Sequence, residues 1–326
     1  MASTTDQRPR IAVLAGGIGG ARYLRGLLAA LPAAEVTVVG NTGDDLTLFG
    51  LRICPDLDTV MYTLGGGSNE EQGWGRADET WSVKQELAAY GAEPTWFGLG
   101  DRDFATHIVR TQMLDAGYPL SEVTAALCRR WQPGLTLLPM SDQRVETHVL
   151  IDDADGRRAI HFQEWWVGKH AGTPALEFIS VGAEEAQPAP GVVEAILAAD
   201  VVLLPPSNPV VSIGSILAVP GIPEALQATD APVVGCSPII GTAPVRGMAD
   251  ACLTAIGVET SAAGVALHYG SAVLDGWLVH ESDIDAVPRV EAGGIACRAV
   301  PLLMTDVETT ATMVREALAL AEAVRR

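Results

Sequence analysis

The sequence predicts an α/β protein: a Rossmann-like, doubly wound, mostly parallel sheet with a smaller mixed α+β subdomain inserted. Three observations carry that expectation. The apolar run Ile11-Ala12-Val13-Leu14-Ala15 breaks into glycines and continues with helical spacing. A second run, Glu35 to Val39, then closes one βαβ unit. Much later, Asp200 to Leu204 and Ala231 to Cys236 are short apolar runs that stop at polar loops, as strands buried on both faces do. The chain has 326 residues, 48% hydrophobic and 19% charged, which suits one large core or two ordinary ones and excludes a disordered chain.

Each element follows from local pattern. Met1 to Arg10 is polar, lacks an apolar stretch with a cleavage site, and reads as a frayed leader. Ile11 to Ala15 is the first strand, Gly20 to Leu31 the first helix and Glu35 to Val39 the second strand. Asp56 is expected to cap a short helix, Thr59 to Leu64. Gly65 to Gly73 is too rich in glycine for an element and is expected to be a flexible loop. Helical spacing runs from Glu79 to Tyr90, and Thr95 to Leu99 reads as a strand. Asp101 or Asp103 is expected to cap a helix reaching Ala116, and Ser121-Glu122 to open another from Val123 to Trp131. Leu135 to Pro139, Glu146 to Ile151 and Ile160 to Val167 read as short strands. Residues 62–175 are assigned to the smaller subdomain, and 1–61 with 176–326 to the nucleotide-binding core. Ala186 to Gly191, rich in Pro and Gly, marks the return to the α/β pattern, followed by a short helix from Val192 to Ala198. Asp306 to Arg326 is an amphipathic helix, acidic early and basic late as its dipole favours.

Charge and cysteine usage narrow the function classes. The formal net charge is −19, and an acidic surface repels nucleic acid and anionic membranes, so neither is an expected partner. No segment offers the ~18 uninterrupted apolar residues of a membrane span. Cys54, Cys128, Cys236, Cys252 and Cys297 lie far apart, which argues against zinc and disulfides and for a cytoplasmic setting. An acidic protein that binds phosphate needs local positive charge, and a divalent cation is the natural source.

The glycine run is the most specific feature. It is not the phosphate loop of ATPases, because Ala21-Arg22-Tyr23 stands where Lys and Ser or Thr are required. It is not a dinucleotide fingerprint either, because Arg22 occupies the position of the third small residue. Gly16, Gly17, Ile18, Gly19, Gly20 and Arg22 are therefore read as an anion cradle, with a plain turn as the competing reading. Two other strand ends carry polar loops, Gly40 to Asp45 and Ser207-Asn208-Pro209, and all three are expected to face one cleft. Asp44, Asp45, Asp56 and Asp58 put four carboxylates within fifteen residues, with Arg52 the only nearby base. Hard oxygens in such number suit Mg2+, and Asp45 with Asp58 is the favoured pair. Lys84 is either a solvated lysine or a side chain reaching the cleft. His107 is read as half of a surface pair with Asp103, and no histidine is given a catalytic role. Of Trp165 and Trp166, one is expected to face the core and the other a surface or a ring-shaped ligand.

These loops, with Pro55-Asp56-Leu57-Asp58-Thr59-Val60-Met61-Tyr62, Gly73-Trp74-Gly75 and Gly98-Leu99-Gly100-Asp101-Arg102-Asp103, resemble the 2-phospho-L-lactate transferase family of deazaflavin coenzyme F(420) biosynthesis. The likeness keeps its order from about residue 10 to beyond residue 245 and is greatest for the actinobacterial branch, described as phosphoenolpyruvate transferases. It implies transfer of a phosphoenolpyruvyl or 2-phospho-L-lactyl group from a guanosine diphosphate-linked donor to the deazaflavin Fo, with release of GMP. It also implies Mg2+, held by Asp45 and Asp58, and an Fo site at Asp45, Lys84 and Thr42. The cradle residues and Ser207, Asn208 and Pro209 then serve the nucleotide, with Asp45 and Asp58 the catalytic acids. The C-terminal apolar stripe and the size of the chain make a homodimer the expected assembly. The alternative is a non-catalytic nucleotide-sugar-binding regulator of the gluconeogenesis-factor type. Leu46-Thr47-Leu48-Phe49-Gly50 after the Asp pair favours the transferase.

Overall fold

Residues 8–325 are described by the computed structural model, so of the leader read over Met1 to Arg10, Met1 to Gln7 lie outside the described residues. β1 (Arg10–Ala15) and β2 (Glu35–Gly40) pair in parallel, with α1 (Gly17–Ala30) crossing between them. Their register runs from Arg10 opposite Glu35 to Ala15 opposite Gly40, so both deliver their last residues to one edge. Next comes a hairpin of β3 (Leu46–Leu48) and β4 (Leu51–Ile53). Phe49 and Gly50, both at positive φ, make its two-residue turn, whose twist matches that of paired strands. α2 (Pro55–Leu64) follows, with proline in the first turn, where no amide hydrogen is needed.

Three helices come next: α3 (Ser82–Ala89), α4 (Asp101–Asp115) and α5 (Leu120–Trp131). β5 (Thr136–Pro139) then joins the outer side of β2. β6 (Glu146–Asp153), β7 (Gly156–His161) and β8 (Glu177–Val181) form a separate antiparallel sheet. Residues 62–175 thus supply an edge strand to the central sheet as well as most of a smaller one.

The chain returns through α6 (Val192–Leu197) to β9 (Val201–Leu204), and then through α7 (Ile213–Leu217) and α8 (Ile222–Ala228) to β10 (Val233–Cys236). A short hairpin, β11 (Ile239–Ile240) and β12 (Ala243–Pro244), leads to α9 (Ala249–Ala255) and α10 (Ala262–Tyr269). The last elements are β13 (Gly276–His280), α11 (Val287–Ala292), β14 (Ala296–Val300) and α12 (Val307–Val324).

The central sheet has the order β14-β13-β10-β9-β1-β2-β5, and every neighbouring pair is parallel. Leu24, Leu27, Met61, Val123 and Val314 cover one face, while Val192, Ile216, Leu226, Leu253 and Val265 cover the other. This is the doubly wound α/β architecture the sequence predicts. Gly26 lets α12 approach α1, because a Cβ there would fall 2.4 Å from Thr310 Cγ2. Among the described residues, no helix is long and apolar enough to cross a membrane.

Several local expectations are corrected. Thr95 to Leu99 is not a strand, for no neighbouring strand pairs with it. Its Phe97 and Leu99 pack instead against Leu46, Leu48 and Phe104. The strand predicted over Ile160 to Val167 ends at His161, and the chain turns through a single π-helical turn, Glu164–Gly168. That turn fully buries Trp165, whose indole N–H donates to the Thr173 carbonyl at 2.7 Å, and leaves Trp166 half-buried. The caps of α3 and α4 are exchanged. Asp101 accepts from the Ser82 and Val83 amides at the start of α3, and Glu79 accepts from the Arg102 and Asp103 amides at the start of α4.

Candidate functional site

The strand order reverses between β1 and β9. From β1 the chain steps to β2 on one side, whereas β9, β10, β13 and β14 spread to the other. A crevice opens at the carboxyl ends of strands at such a reversal, and here the glycine run meets the Ser207 loop. The Ser207 hydroxyl donates to the Gly16 carbonyl at 2.8 Å and accepts from the Gly16 amide at 3.3 Å. A Cβ on Gly19 would stand 2.8 Å from the Pro206 carbonyl oxygen, and one on Gly16 would stand 2.6 Å from Asp56 Oδ2. Gly17 has φ +64°, which disfavours any residue with a Cβ. These are positional reasons for glycine at all three places.

The helix itself starts at Gly17, three residues earlier than predicted, so Gly17, Ile18, Gly19 and Gly20 form its first turn. Gly16 is the N-cap and has no side chain to cap the helix, no acidic residue sits in the first turn, and the Asp56 carboxylate accepts from the Gly17 amide. The amides that follow lack partners along the helix, as those of a helix start do, and such a start favours negative charge, which the Asp56 carboxylate supplies at Gly17. Arg22, one turn on, is half-buried and has no ion-pair partner among the described residues. Asn208 is occupied as a brace: its Oδ1 accepts from the Val210 and Val211 amides and its carbonyl from Ile213. Pro209 closes that turn, with its carbonyl oxygen 2.8 Å from where a Cβ on Gly214 would lie.

The structure divides the four carboxylates into two pairs. Buried Asn41 donates from Nδ2 to Asp56 Oδ2 at 2.9 Å and lies 3.3 Å from Asp44 Oδ1. It is fixed by the Gly43 amide at 2.8 Å, and the Val211 carbonyl lies 3.2 Å from Nδ2. Asp44 and Asp56 are both buried and neither forms an ion pair among the described residues. Burial pushes the Asp44 carboxyl well above the usual range, and the charge of Asp56 adds to it. Burial likewise pushes Asp56 up to about 6, against the hydrogen bond from Asn41. Asp56 is thus no simple helix cap, since it lies within the first turn of α2 and faces the glycine run.

Asp45 and Asp58, the pair favoured from sequence for the metal, are each engaged by an arginine. Arg52 reaches Asp45 Oδ2 at 3.1 Å, and Arg110 pairs with Asp58 Oδ1. Burial pushes the Asp45 carboxyl up to about 6, with Arg52 opposing it. Burial alone lowers the Arg110 pKa, but Asp58 beside it more than reverses that. Beyond Asp58 the network continues inward. His107 lies 3.3 Å from Asp103 and 3.8 Å from Asp58, and the Tyr62 hydroxyl donates to Asp103 at 2.6 Å. His107 is 1% exposed, so the expected surface pair is a buried one. Three buried oxygens in this region have no hydrogen-bond partner: Thr42 Oγ1, Asp45 Oδ1 and Asp58 Oδ2.

Sequence reasoning missed Arg110. The signal was present, since Asp103, His107 and Arg110 recur at helical spacing on one face of α4 and all turn inward. His161 was also passed over, though one ring nitrogen lies 3.1 Å from the Asp45 carbonyl and the other accepts from the Gln163 amide. Lys84 lies on α3, half-buried, with its ammonium 5.7 Å from the Trp81 ring centre. It shares a small apolar pocket with Phe49 of the hairpin turn, Leu87, Phe97, Leu99 and Phe104. The hairpin that follows Asp45 thereby connects the acidic loop to the Lys84 pocket.

Comparison with known proteins follows the same lines. A family model described as 2-phospho-L-lactate transferase CofD matches residues 11–293. A Streptomyces griseus protein named phosphoenolpyruvate transferase is 70% identical over 316 residues, covering 97% of this chain and 99% of that one. Proteins of the same name from Kitasatospora aureofaciens and Thermobifida fusca are 71% and 66% identical, covering 97% and 96% of this chain and 99% and 98% of their own. Two crystal structures of a Bacillus halodurans protein, described in one case as a member of the UPF0052 family, superpose with TM-scores of 0.64 and 0.65 at 19% and 18% identity. Each covers 96% of this chain and 100% of its own, and at that identity the likeness shows the fold alone.

Proposed function

The chain belongs to the 2-phospho-L-lactate transferase CofD family of transferases, and from that premise we propose its full reaction. The ribityl hydroxyl of Fo attacks the distal phosphorus of a guanosine diphosphate-linked enolpyruvate or lactate. The new O–P bond forms as the P–O bond to GMP breaks, giving the phosphodiester of dehydro coenzyme F(420)-0 or of F(420)-0. The observation that carries this reading is the glycine-run helix start and the Asp44–Asp56 pair at one strand-order reversal.

The first amides of α1 hold phosphate oxygens, while Asn41 fixes the two carboxylates that face them. Phosphoryl transfer needs chiefly positioning and charge stabilisation, so the lack of a histidine base is no obstacle. Asp44 and Asp56 would hold Mg2+. They are hard oxygen donors without an ion-pair partner among the described residues, and burial raises both pKa values. Among the described residues no three His, Cys, Asp or Glu form a metal cage. That suits Mg2+, which takes one or two carboxylates and completes its shell from phosphates and water. The ion would neutralise charge on the diphosphate. Asp45, with its carboxyl near 6 and Oδ1 unpartnered, is the group able to accept the proton of the attacking hydroxyl. Thr42 and Lys84 serve the acceptor.

The test is mass spectrometry of the product formed from Fo with each guanylated donor in Mg2+. We expect an Fo phosphodiester and GMP in equal amounts. No product from either donor, with GDP still bound, would remove the transferase reading. Asp45→Asn is expected to abolish turnover of Fo with folding intact, and near-normal turnover would take Asp45 out of the mechanism.

A further inference from the structure

We propose that Arg246, on the turn between β12 and α9, is a donor-binding residue that with Arg22 forms the cationic wall of the glycine-run site. The assignment rests on the transferase reading for the identity of the anion: the oxygens of the diphosphate, or the carboxylate it carries.

The argument starts from residues 68–76. Residues 65–73, expected to be a flexible loop, carry no helix or strand, and 68–76 close into a turn. Asn69 ties it together, accepting at Oδ1 from the Glu71 and Gln72 amides and at its carbonyl from Gly73, while Ser68 bridges Arg76. Two arginines from different elements fasten this turn beside α1. Arg25, in the third turn of α1, pairs with Glu70 at 2.8 Å. Arg246 donates from one terminal nitrogen to the Gln72 carbonyl at 2.7 Å. Gly73 makes the close approach possible, since its φ is +76° and a Cβ there would lie 3.0 Å from the Arg246 guanidinium.

Arg22 lies three residues before Arg25 and so shares its face of α1, one turn nearer the free amides. Partial burial and the neighbouring charge of Arg22 both lower the Arg246 pKa. Neither Arg22 nor Arg246 has a carboxylate partner among the described residues, although the chain carries 40 acidic residues against 21 basic ones. Arg246 is exposed and Arg22 half-buried, so water screens part of their repulsion, and an anion between the two guanidinium groups would relieve the rest. The Gln72 bond orients the Arg246 fork and leaves its other N–H groups free for paired contacts to phosphate or carboxylate oxygens.

The test compares Arg246→Ala and Arg246→Lys with the parent, and uses Arg289→Ala, an exposed arginine paired with Glu259, to control for net charge. Calorimetry at two salt concentrations gives Kd for inorganic pyrophosphate, GDP and the intact donor, and separately for Fo. We expect Arg246→Ala to weaken anion binding roughly 10- to 100-fold and flatten its salt dependence. Fo binding should hold, Arg246→Lys should recover part of the loss, and Arg289→Ala should match the parent. Weakening of pyrophosphate and GDP assigns Arg246 to the phosphates, and weakening of the intact donor alone assigns it to the carboxylate. Unchanged anion affinity in Arg246→Ala, or equal loss of donor and Fo binding that Lys does not relieve, overturns the proposal. If the parent binds pyrophosphate through Arg246 yet never modifies Fo, the transfer reading falls while the anion site stands.

Discussion

At Asp44 and Asp56 the fold holds two buried carboxylates against one asparagine with no positive charge to match. That arrangement costs stability in the ligand-free protein, and on the proposed reaction it is where a cation would sit. Replacing Asp56 with Asn keeps the side-chain shape and one acceptor while removing a charge. The variant is expected to melt at or above the parent temperature at neutral pH, yet to need at least about 10-fold more Mg2+ for half-maximal turnover. A lower melting temperature with an unchanged Mg2+ requirement would make the pair purely structural. The sequence shows four acids close together but not how they divide. Residues two apart on a helix point to opposite sides, so Asp56 meets the glycine run and Asp58 meets α4. That division was readable only with α2 begun at Pro55 rather than Thr59.

Helices and hairpins place these residues, and glycine decides how closely elements approach. Gly26→Ala pushes α12 from α1 at Thr310, where overpacking costs about 1–3 kcal/mol against a gain of up to about 1 kcal/mol in helix propensity. Urea denaturation should show a lower midpoint at unchanged slope. Gly19→Ala strikes the Pro206 carbonyl and separates the helix start from the Ser207 loop. Its expected signature is weaker GDP binding with little change in Fo affinity; equal affinity for GDP would mean that the two loops need not touch. Long apolar and helical runs were legible at this scale, including β1, α1, α5, β9 and α12. The β3–β4 hairpin was not, because its strands are three residues long and a phenylalanine occupies the positive-φ position where Asn or Gly is usual. The exchanged caps of α3 and α4 were hidden for another reason. Each cap comes from beyond its own helix, while sequence rules look next door.

Over the whole molecule, the doubly wound sheet was legible from strand-loop-helix order, whereas β13 and β14 lay in a stretch with weaker contrast between apolar and polar residues. Stability against pH follows from the buried acids of the site. Asp45 and Asp56 titrate near 6 when folded and near 3.8 when unfolded. Between those values the folded chain binds more protons, so stability falls as pH rises from about 4 to about 6 and stays lowered above that. Asp103 and Glu146 have lowered folded values and act the other way only as pH drops through those values, while His161 and His268, which burial holds below 6.5, oppose part of the trend between their folded values and 6.5. Ligand-free protein should therefore melt at a higher temperature at pH 5.5 than at pH 7.5, and Mg2+ with GDP should stabilise it more at pH 7.5. Scanning calorimetry at both pH values checks this, and a ligand-free melting temperature that rises with pH would contradict it.

The two hydrogen bonds between Ser207 and Gly16 join residues 191 apart in the chain. At ordinary synthesis rates the serine leaves the ribosome on the order of 10 to 40 s after the glycine it locks. A nascent chain carries the glycine run through that interval without its brace, so this junction of the two loops closes only after β9 has been made.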